Sequence, residues 1–492
     1  MRMLWRWSLR AVWSVLLVLA TIVLVQAFRA RGLPPLQPWH REAPQLELTA
    51  EDMRQLGFDF ARYLDREDEV VRESRLRVTQ ALRPEDDVQG LRYAPSSTNN
   101  PERFATDWNR SFERRPARVR GGALLVHGMT DAPYSMRALA DLLERQGWYV
   151  VAIRVPGHGT VPAGLATAEW EDWFEAVAVA ARHVRAEVGA EAPLLMAGYS
   201  NGGALVLEHQ LDAIDDDQLP RADRIVLISP MIGIARGSGL ARVIGLLSFI
   251  PYFEQSAWLD IQPEFNPFKY NSFPVNAGLQ SVRLTREIQA DLDRHARAGT
   301  LARLPPVLTF QSVLDETVES AAVVTRLYDQ LPANGSELVL FDINRAGALE
   351  PLFTRTALGF RDSLGRGDVE RPWGVTVITN TRPDTLGVSE WRRPAGAAEP
   401  TRRELELKFP REVYSLSHIA LPFPIDDPLY GLEPSRGEDF GIRLGRLALR
   451  GERRALVVPV DQFARLGSNP FFPYLAERTR EWSAAALEPR PD

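Results

Sequence analysis

Residues Gly198-Tyr199-Ser200-Asn201-Gly202 carry the clearest chemical signal in this sequence. They stand between an apolar, strand-like run, Pro193–Ala197, and a segment of helical spacing, Gly202–Ala213. A serine on a sharp strand-to-helix turn presents its hydroxyl above a sheet, at a helix end that favours negative charge. The turn is strained, so the positions two before and two after the serine must lack side chains. Gly198 and Gly202 meet that requirement. The chemistry such a turn suits is nucleophilic attack by Ser200, activated by a neighbouring base.

Histidine chemistry has few places to come from. There are seven histidines: His40, His127, His158, His183, His209, His295 and His418. There are no cysteines, which excludes thiol nucleophiles, disulfides, iron–sulfur clusters and Cys-based zinc sites. The 492 residues are 45% hydrophobic and 25% charged, the balance of an ordinary globular protein with ample chain for a core. The net charge of −6 offers no broad basic field, so nucleic acid is not an expected partner. Lys269 and Lys408 are the only lysines.

Three motifs in order, Leu125-Val126-His127-Gly128, Pro156-Gly157-His158-Gly159 and Gly198-Tyr199-Ser200-Asn201-Gly202, resemble an α/β-hydrolase. The Gly-His-Gly loop is similar to that of the serine aminopeptidase / monoacylglycerol lipase / lysophospholipase-like branch. The resemblance covers roughly residues 120–345 and a short piece around His418. It implies a mostly parallel sheet flanked by helices, with Ser, acid and His following one another along the chain. It implies an oxyanion hole formed by the backbone N–H groups of Met129 and Asn201, with His127 orienting the loop. Asp315, just past the strand-like Val307–Val313, fits the acid, with Glu316 and Asp342 as alternatives. His418 is the only histidine after Asp315; His158 and His295 precede it and would break the order. The implied activity is hydrolysis of a carboxylic ester through an acyl-enzyme, without metal or organic cofactor.

These residues need elements to hold them. From residue 120 onward the pattern alternates strand and helix. Strand-like runs are Ala123–Val126, Trp148–Val155, Pro193–Ala197, Arg224–Ile228, Val307–Val313 and Glu337–Ile343. Helical spacing is seen over Pro133–Gln146, Trp170–Val188, Gly202–Ala213 and Thr317–Leu331. Such alternation predicts a parallel sheet covered on both faces. Upstream, Ala50–Glu67 has helical spacing with Thr49 as N-cap, inside a helical extension over 32–115. The α/β domain is expected over 116–492.

Two segments interrupt the rhythm. Residues 231–300, after the predicted sixth strand, are rich in aromatics and proline and read as a lid over the serine. An apolar lid suits a lipid-like substrate, a lysophospholipid or a monoacylglycerol. A second interruption separates Asp315 and His418 by 103 residues, which departs from the family spacing. The added stretch, about 345–412, holds two strand-like runs, Val375–Ile378 and Glu404–Phe409, and reads as a flap or interaction surface. The same motifs leave open an aminopeptidase, with Glu254, Asp260 or Glu264 taking the substrate amine. They also leave open an acyltransferase, or a non-catalytic envelope protein that keeps the fold.

The N-terminus points to a membrane. Residues Ala11–Phe28 carry no charge and reach about 27 Å as a helix, close to the hydrocarbon thickness of a bilayer. Arg2, Arg6 and Arg10 precede the run, Arg29 and Arg31 follow it, and Trp5, Trp7 and Trp13 suit the headgroup level. An uncleaved anchor over 1–31 is the reading, with the catalytic domain outside the cytoplasm (periplasmic, in a Gram-negative cell). N-terminal sequencing of the mature protein tests this: the chain should begin near Met1 and sediment with membranes. A mature N-terminus near Phe28 marks a cleaved leader instead.

Overall fold

The structure, a computed structural model, describes residues 34–233, 251–315, 320–346, 353–354, 370–447 and 458–488, together with Trp13, Ser14, Leu17 and Thr21. Apart from those four residues, the predicted anchor lies outside this set. Among the described residues no helix is long and apolar enough to cross a membrane.

The chain order is β1 (Phe112–Arg114), β2 (Gly121–Val126), β3 (Trp148–Ile153), β4 (Leu194–Tyr199), β5 (Arg224–Ile228), β6 (Trp258–Asp260), β7 (Phe273–Pro274), β8 (Val307–Ser312), β9 (Glu337–Phe341), β10 (Gly374–Asn380), β11 (Gly387–Arg393) and β12 (Thr401–Lys408). All but β6 and β7 join one sheet, ordered β1-β3-β2-β4-β5-β8-β9-β10-β11-β12. The run from β3 to β10 is parallel; β1, β11 and β12 are antiparallel additions at the two edges.

Successive side chains on a strand point to opposite faces, and two separate cores result. Leu124, Val126, Met196, Ile225, Leu227 and Leu340 bury on one face. Leu125, Ala197, Val226, Ile228, Phe310 and Phe341 bury on the other. The first face is covered by α3 (Trp170–Val188), α4 (Asn201–Asp212), α5 (Val275–Ala298) and α6 (Ser320–Arg326). The second is covered by α2 (Arg137–Arg145) and the C-terminal α7 (Phe472–Ala484), through Leu139, Leu143, Tyr474 and Leu475.

Several predicted boundaries move. The helix predicted over Pro133–Gln146 begins as a 3-10 turn at Pro133–Met136 before α2. Of the helix predicted over Thr317–Leu331, α6 stops at Arg326; Leu327 leaves helical dihedrals and a 3-10 turn follows at Tyr328–Gln330. There the Tyr328 hydroxyl donates to the Glu337 carbonyl. The lid segment follows β5, the fifth strand, not a sixth. Residues 234–250 of it lie outside the described set. The rest forms the β6–β7 pair and α5, whose Leu284, Ile288 and Leu292 join the main core.

The described strands of the added stretch before His418 extend the sheet. β10 pairs in parallel with β9, and β11 and β12 continue the sheet. β11 was not foreseen: Gly387–Arg393 mixes charge with apolar residues, as a strand near a sheet edge does.

The predicted helix Ala50–Glu67 is broken in two. Thr49 caps a single turn, Ala50–Met53, by accepting from the Asp52 N–H (3.2 Å). Gly57 then takes a positive φ of 79°, and Asp59 caps a new helix, α1 (Phe60–Ala81), by accepting from Arg62 N–H. Leu48, Met53, Phe60 and Tyr63 of this extension share the core of the sheet. Their chemical counterpart is Arg154, wholly buried just after β3. Its guanidinium donates to both oxygens of Glu47 (3.1 and 2.9 Å) and to the His158 carbonyl (3.0 Å), and lies 3.6 Å from Glu67. The Tyr63 hydroxyl donates to the Arg154 carbonyl. The extension thus clamps the Gly-His-Gly loop. Arg154→Met would leave the Glu67 carboxylate buried without its guanidinium, a loss of about 3–5 kcal/mol. Chemical denaturation should show the lowered midpoint; an unchanged midpoint overturns the clamp.

Candidate active site

Ser200 sits between β4 and α4 with φ 54° and ψ −115°, a conformation rare for a residue with a Cβ. The turn is locked on both sides: Ser200 N–H donates to the Ile228 carbonyl (2.9 Å), and Met231 N–H donates to the Ser200 carbonyl (3.0 Å). The glycine requirement has a direct steric cause. A Cβ on Gly198 would lie 2.3 Å from the Gly202 carbonyl oxygen, and one on Gly202 would lie 2.2 Å from the Val126 carbonyl oxygen. Among the described residues, the three non-glycine positive-φ positions are Thr130, Ser200 and Ser229. Thr130 and Ser200 line one cavity and Ser229 follows Ile228, whose carbonyl holds the Ser200 N–H, so backbone strain concentrates where the serine is presented.

Asp315 and His418 meet Ser200. His418 Nε2 is 3.0 Å from Ser200 Oγ, and His418 Nδ1 is 2.9 Å from Asp315 Oδ2. The Asp315 side chain is fully buried and also accepts from Gln311 Nε2 (3.0 Å). Gln311 was missed by sequence reasoning; an amide side chain on the strand leading to the acid, four residues before it, was the available signal. Asp342 is engaged elsewhere, accepting from Arg345 (2.8 Å) and Thr379 (2.7 Å). Glu316 lies outside the described residues.

The 103-residue separation of acid and histidine does not disturb this geometry. Asn344 N–H donates to the Tyr414 carbonyl (2.8 Å), and Asn344 Nδ2 donates to the Val413 carbonyl (3.0 Å). The two ends of the added stretch are therefore pinned together. Ser312 Oγ donates to the Leu416 carbonyl (2.9 Å), fixing the His418 loop against the strand that carries the acid.

Met129 follows Gly128, where an added Cβ would stand 3.1 Å from Ser200 Cβ. Asn201 opens α4, and the first N–H groups of a helix have no intrahelical acceptor. His127 Nδ1 bonds the Gly128 carbonyl (2.9 Å) and Nε2 accepts from Val155 N–H (3.1 Å), joining the loops after β2 and β3. His158 is buried beside it, with burial pushing its pKa down to about 4. His295 is held on α5 by Thr300 (2.8 Å), away from the serine.

A cavity of about 390 Å³ opens over Ser200 and His418. Phe265, Tyr270, Phe273, Ile419, Leu444 and Phe463 supply its apolar wall. Tyr270 also braces the loops below: its N–H donates to the Thr130 carbonyl (2.8 Å) and its hydroxyl accepts from Thr160 N–H (2.7 Å). Two further residues went unread in the sequence. Buried Asp131, four after His127, stands 4.0 Å from Lys269, which lines the cavity. Burial pushes the Asp131 carboxyl up to about 6, against the pull of Lys269 and His418. Of the three acids considered for an amine pocket, Asp260 lines the cavity. Glu254 pairs with Arg41 at the surface (3.3 Å). Glu264 is buried and accepts from Asn271 and Ser272 N–H (2.9 and 2.8 Å).

A parallel sheet with a serine at a strand-to-helix elbow, and an acid and histidine following in that order, defines an α/β-hydrolase. Residues 117–344 match the sequence profile of the family "Serine aminopeptidase, S33". The thermostable monoacylglycerol lipase of Bacillus sp. (strain H-257) is 29% identical over 177 residues, covering 35% of this chain and 65% of that protein. Among solved structures, a chain from work on the metagenome-derived lipolytic enzymes LipS and LipT aligns at TM-score 0.38 and 22% identity, over 48% of this chain and 88% of its own. The Paleococcus ferrophilus monoacylglycerol lipase aligns at TM-score 0.36 and 18% identity, over 47% of this chain and 87% of its own. The described sheet has the α/β-hydrolase fold, and residues 117–344 are similar to its serine aminopeptidase / monoacylglycerol lipase / lysophospholipase-like branch.

The elbow yields a steric test. Gly202→Ala forces a Cβ into the Val126 carbonyl and should cost more than the ~1–3 kcal/mol of ordinary overpacking. Thermal melting should show a large drop for this variant; a wild-type melting temperature would overturn the account.

Proposed function

We propose that this chain is a serine hydrolase that cleaves carboxylic esters of lipid-like substrates, with Ser200 as nucleophile, His418 as base and Asp315 as the acid. The observation that carries the reading is the continuous hydrogen-bonded chain Ser200 Oγ–His418–Asp315, at 3.0 and 2.9 Å, opening into an apolar-walled cavity. His418 Nε2 takes the Ser200 proton as Oγ attacks the ester carbonyl. Asp315 accepts from Nδ1–H, which fixes the tautomer and stabilises the imidazolium. The backbone N–H groups of Met129 and Asn201 hold the oxyanion, each such donor contributing about 3–4 kcal/mol in the transition state. His418 then protonates the leaving alcohol, and water activated by the same ring hydrolyses the acyl-enzyme. The reaction needs no metal or organic cofactor.

The lipid-like substrate is supported by the aromatic and aliphatic cavity wall and by the monoacylglycerol lipase relative. Residues 231–300 act in this reading as the lid, of which Phe265, Tyr270 and Phe273 face the acyl chain. The hydrophobic run 11–28 serves as a single-pass anchor that keeps the catalytic domain beside its lipids, outside the cytoplasm. An aminopeptidase would have Asp260, in the cavity wall, as the one acid of the three weighed to take the substrate amine, because Glu254 and Glu264 are committed elsewhere.

Labelling with a fluorophosphonate probe, alongside turnover of short and long p-nitrophenyl esters, tests the assignment. Ser200→Ala should abolish labelling and cut turnover by about 10⁴–10⁶-fold while the protein stays folded. His418→Ala should abolish both as well. Labelling that persists in folded Ser200→Ala overturns the nucleophile. Turnover of aminoacyl amides in preference to esters overturns the substrate class.

A further inference from the structure

α4 leads away from Ser200 and ends at Asp212, with α5 packed beside it. Glu208 and Asp212 are one turn apart on α4 and so share a face. Asp291 comes from α5. One carboxylate oxygen from each of the three lies within 4.8 Å of the others. Two oxygens on opposite sides of a calcium ion, each at about 2.4 Å, are about 4.8 Å apart. The end of a helix adds negative potential at Asp212.

A second observation separates this cluster from an ordinary acidic surface. Glu208 is only 1% exposed, and its Oε2 has no hydrogen-bond partner. A buried carboxylate oxygen left unpaired is costly unless something takes its lone pairs. The charges do not balance either. Asp291, Asp212 and Glu287 set like charge around Glu208. Arg294 opposes them, but its half-exposed guanidinium is shared between Asp291 (2.9 Å) and Asp215 (2.6 Å). Asp212 borders a surface cavity lined also by Asp215, Asp216, Arg54, Arg182 and Arg294.

We propose that Glu208, Asp212 and Asp291 form a binding site for a hard divalent cation of the calcium or manganese class, which ties the end of the nucleophile's helix to α5. All three ligands are oxygens, which suits such ions rather than soft metals. The ion lies at the far end of α4 from Ser200 and takes no part in the chemistry there; its role is to hold two helices together.

The test uses the full chain, stripped with EDTA, dialysed and then titrated with MnCl₂ or CaCl₂. The wild type should bind one Mn²⁺ per chain by electron paramagnetic resonance, and either ion should raise its melting temperature by several degrees. Asp212→Asn and Asp291→Asn should lose both effects while melting near the stripped wild type. Glu208→Gln, which keeps the buried shape, provides the same comparison if an aspartate variant does not fold. No bound Mn²⁺ at millimolar concentration overturns the site, as does equal binding by the wild type and the folded variants; the carboxyls then share protons instead.

Discussion

The structure turns on a lack of space. At the elbow, the backbone of Gly202 runs so close to the end of β2 that a Cβ would stand 2.2 Å from the Val126 carbonyl oxygen. That contact forces the β4–α4 turn to be tight, and the tight turn holds Ser200 at positive φ. It also brings the loop after β2, with Gly128 and Met129, against the serine. The strain is held by the sheet on either side, through the Ser200 and Met231 backbone hydrogen bonds. A parallel sheet buried on both faces is rigid enough to impose a conformation that the serine alone would avoid.

Around this fixed point, hydrogen bonds rather than chain proximity set the positions. Asn344 closes the base of the three-strand addition, so β10, β11 and β12 extend the sheet without moving His418. Ser312 and Gln311, both on β8, then hold the histidine loop and the acid. The same strand thus aligns both partners of the serine. Insertion of a long segment is tolerated when its two ends leave and return at neighbouring points, because loop-closure entropy rises only slowly with length.

The N-terminal extension and the 258–274 segment serve the loops rather than the serine itself. Glu47 and Glu67 balance the buried Arg154, which holds the His158 carbonyl. Tyr270 ties the loop at Thr130 to the one at Thr160. Sequence periodicity could not reveal either device. Arg154 looks like a surface arginine until the helix carrying Glu67 and Tyr63 packs over it, and charges are buried only when partners distant in sequence arrive.

Much of the site was legible along the chain. Gly198, Ser200 and Gly202 declare a strained elbow by type and spacing, and His418 is singled out because no other histidine follows Asp315. Strands buried on both faces read as apolar runs and core-facing helices as a 3.6-residue period, so the strand Arg224–Ile228 and the helix Trp170–Val188 have the bounds the pattern predicts. Gln311, Asp131 and Lys269 were not legible, although each carried a small compositional signal. β11 was hidden by its charges, and the break at Gly57 by the helical spacing around it. The sequence by itself determined the local conformations and the order of chemical groups, because strain, capping and burial periodicity act over a few residues. The tertiary structure alone decided which distant groups meet: that Asn344 returns the chain to His418, that Gln311 backs Asp315, and that Glu208 is buried beside Asp291. Those contacts depend on strand order and helix packing, which join residues far apart and leave no periodic trace in the chain.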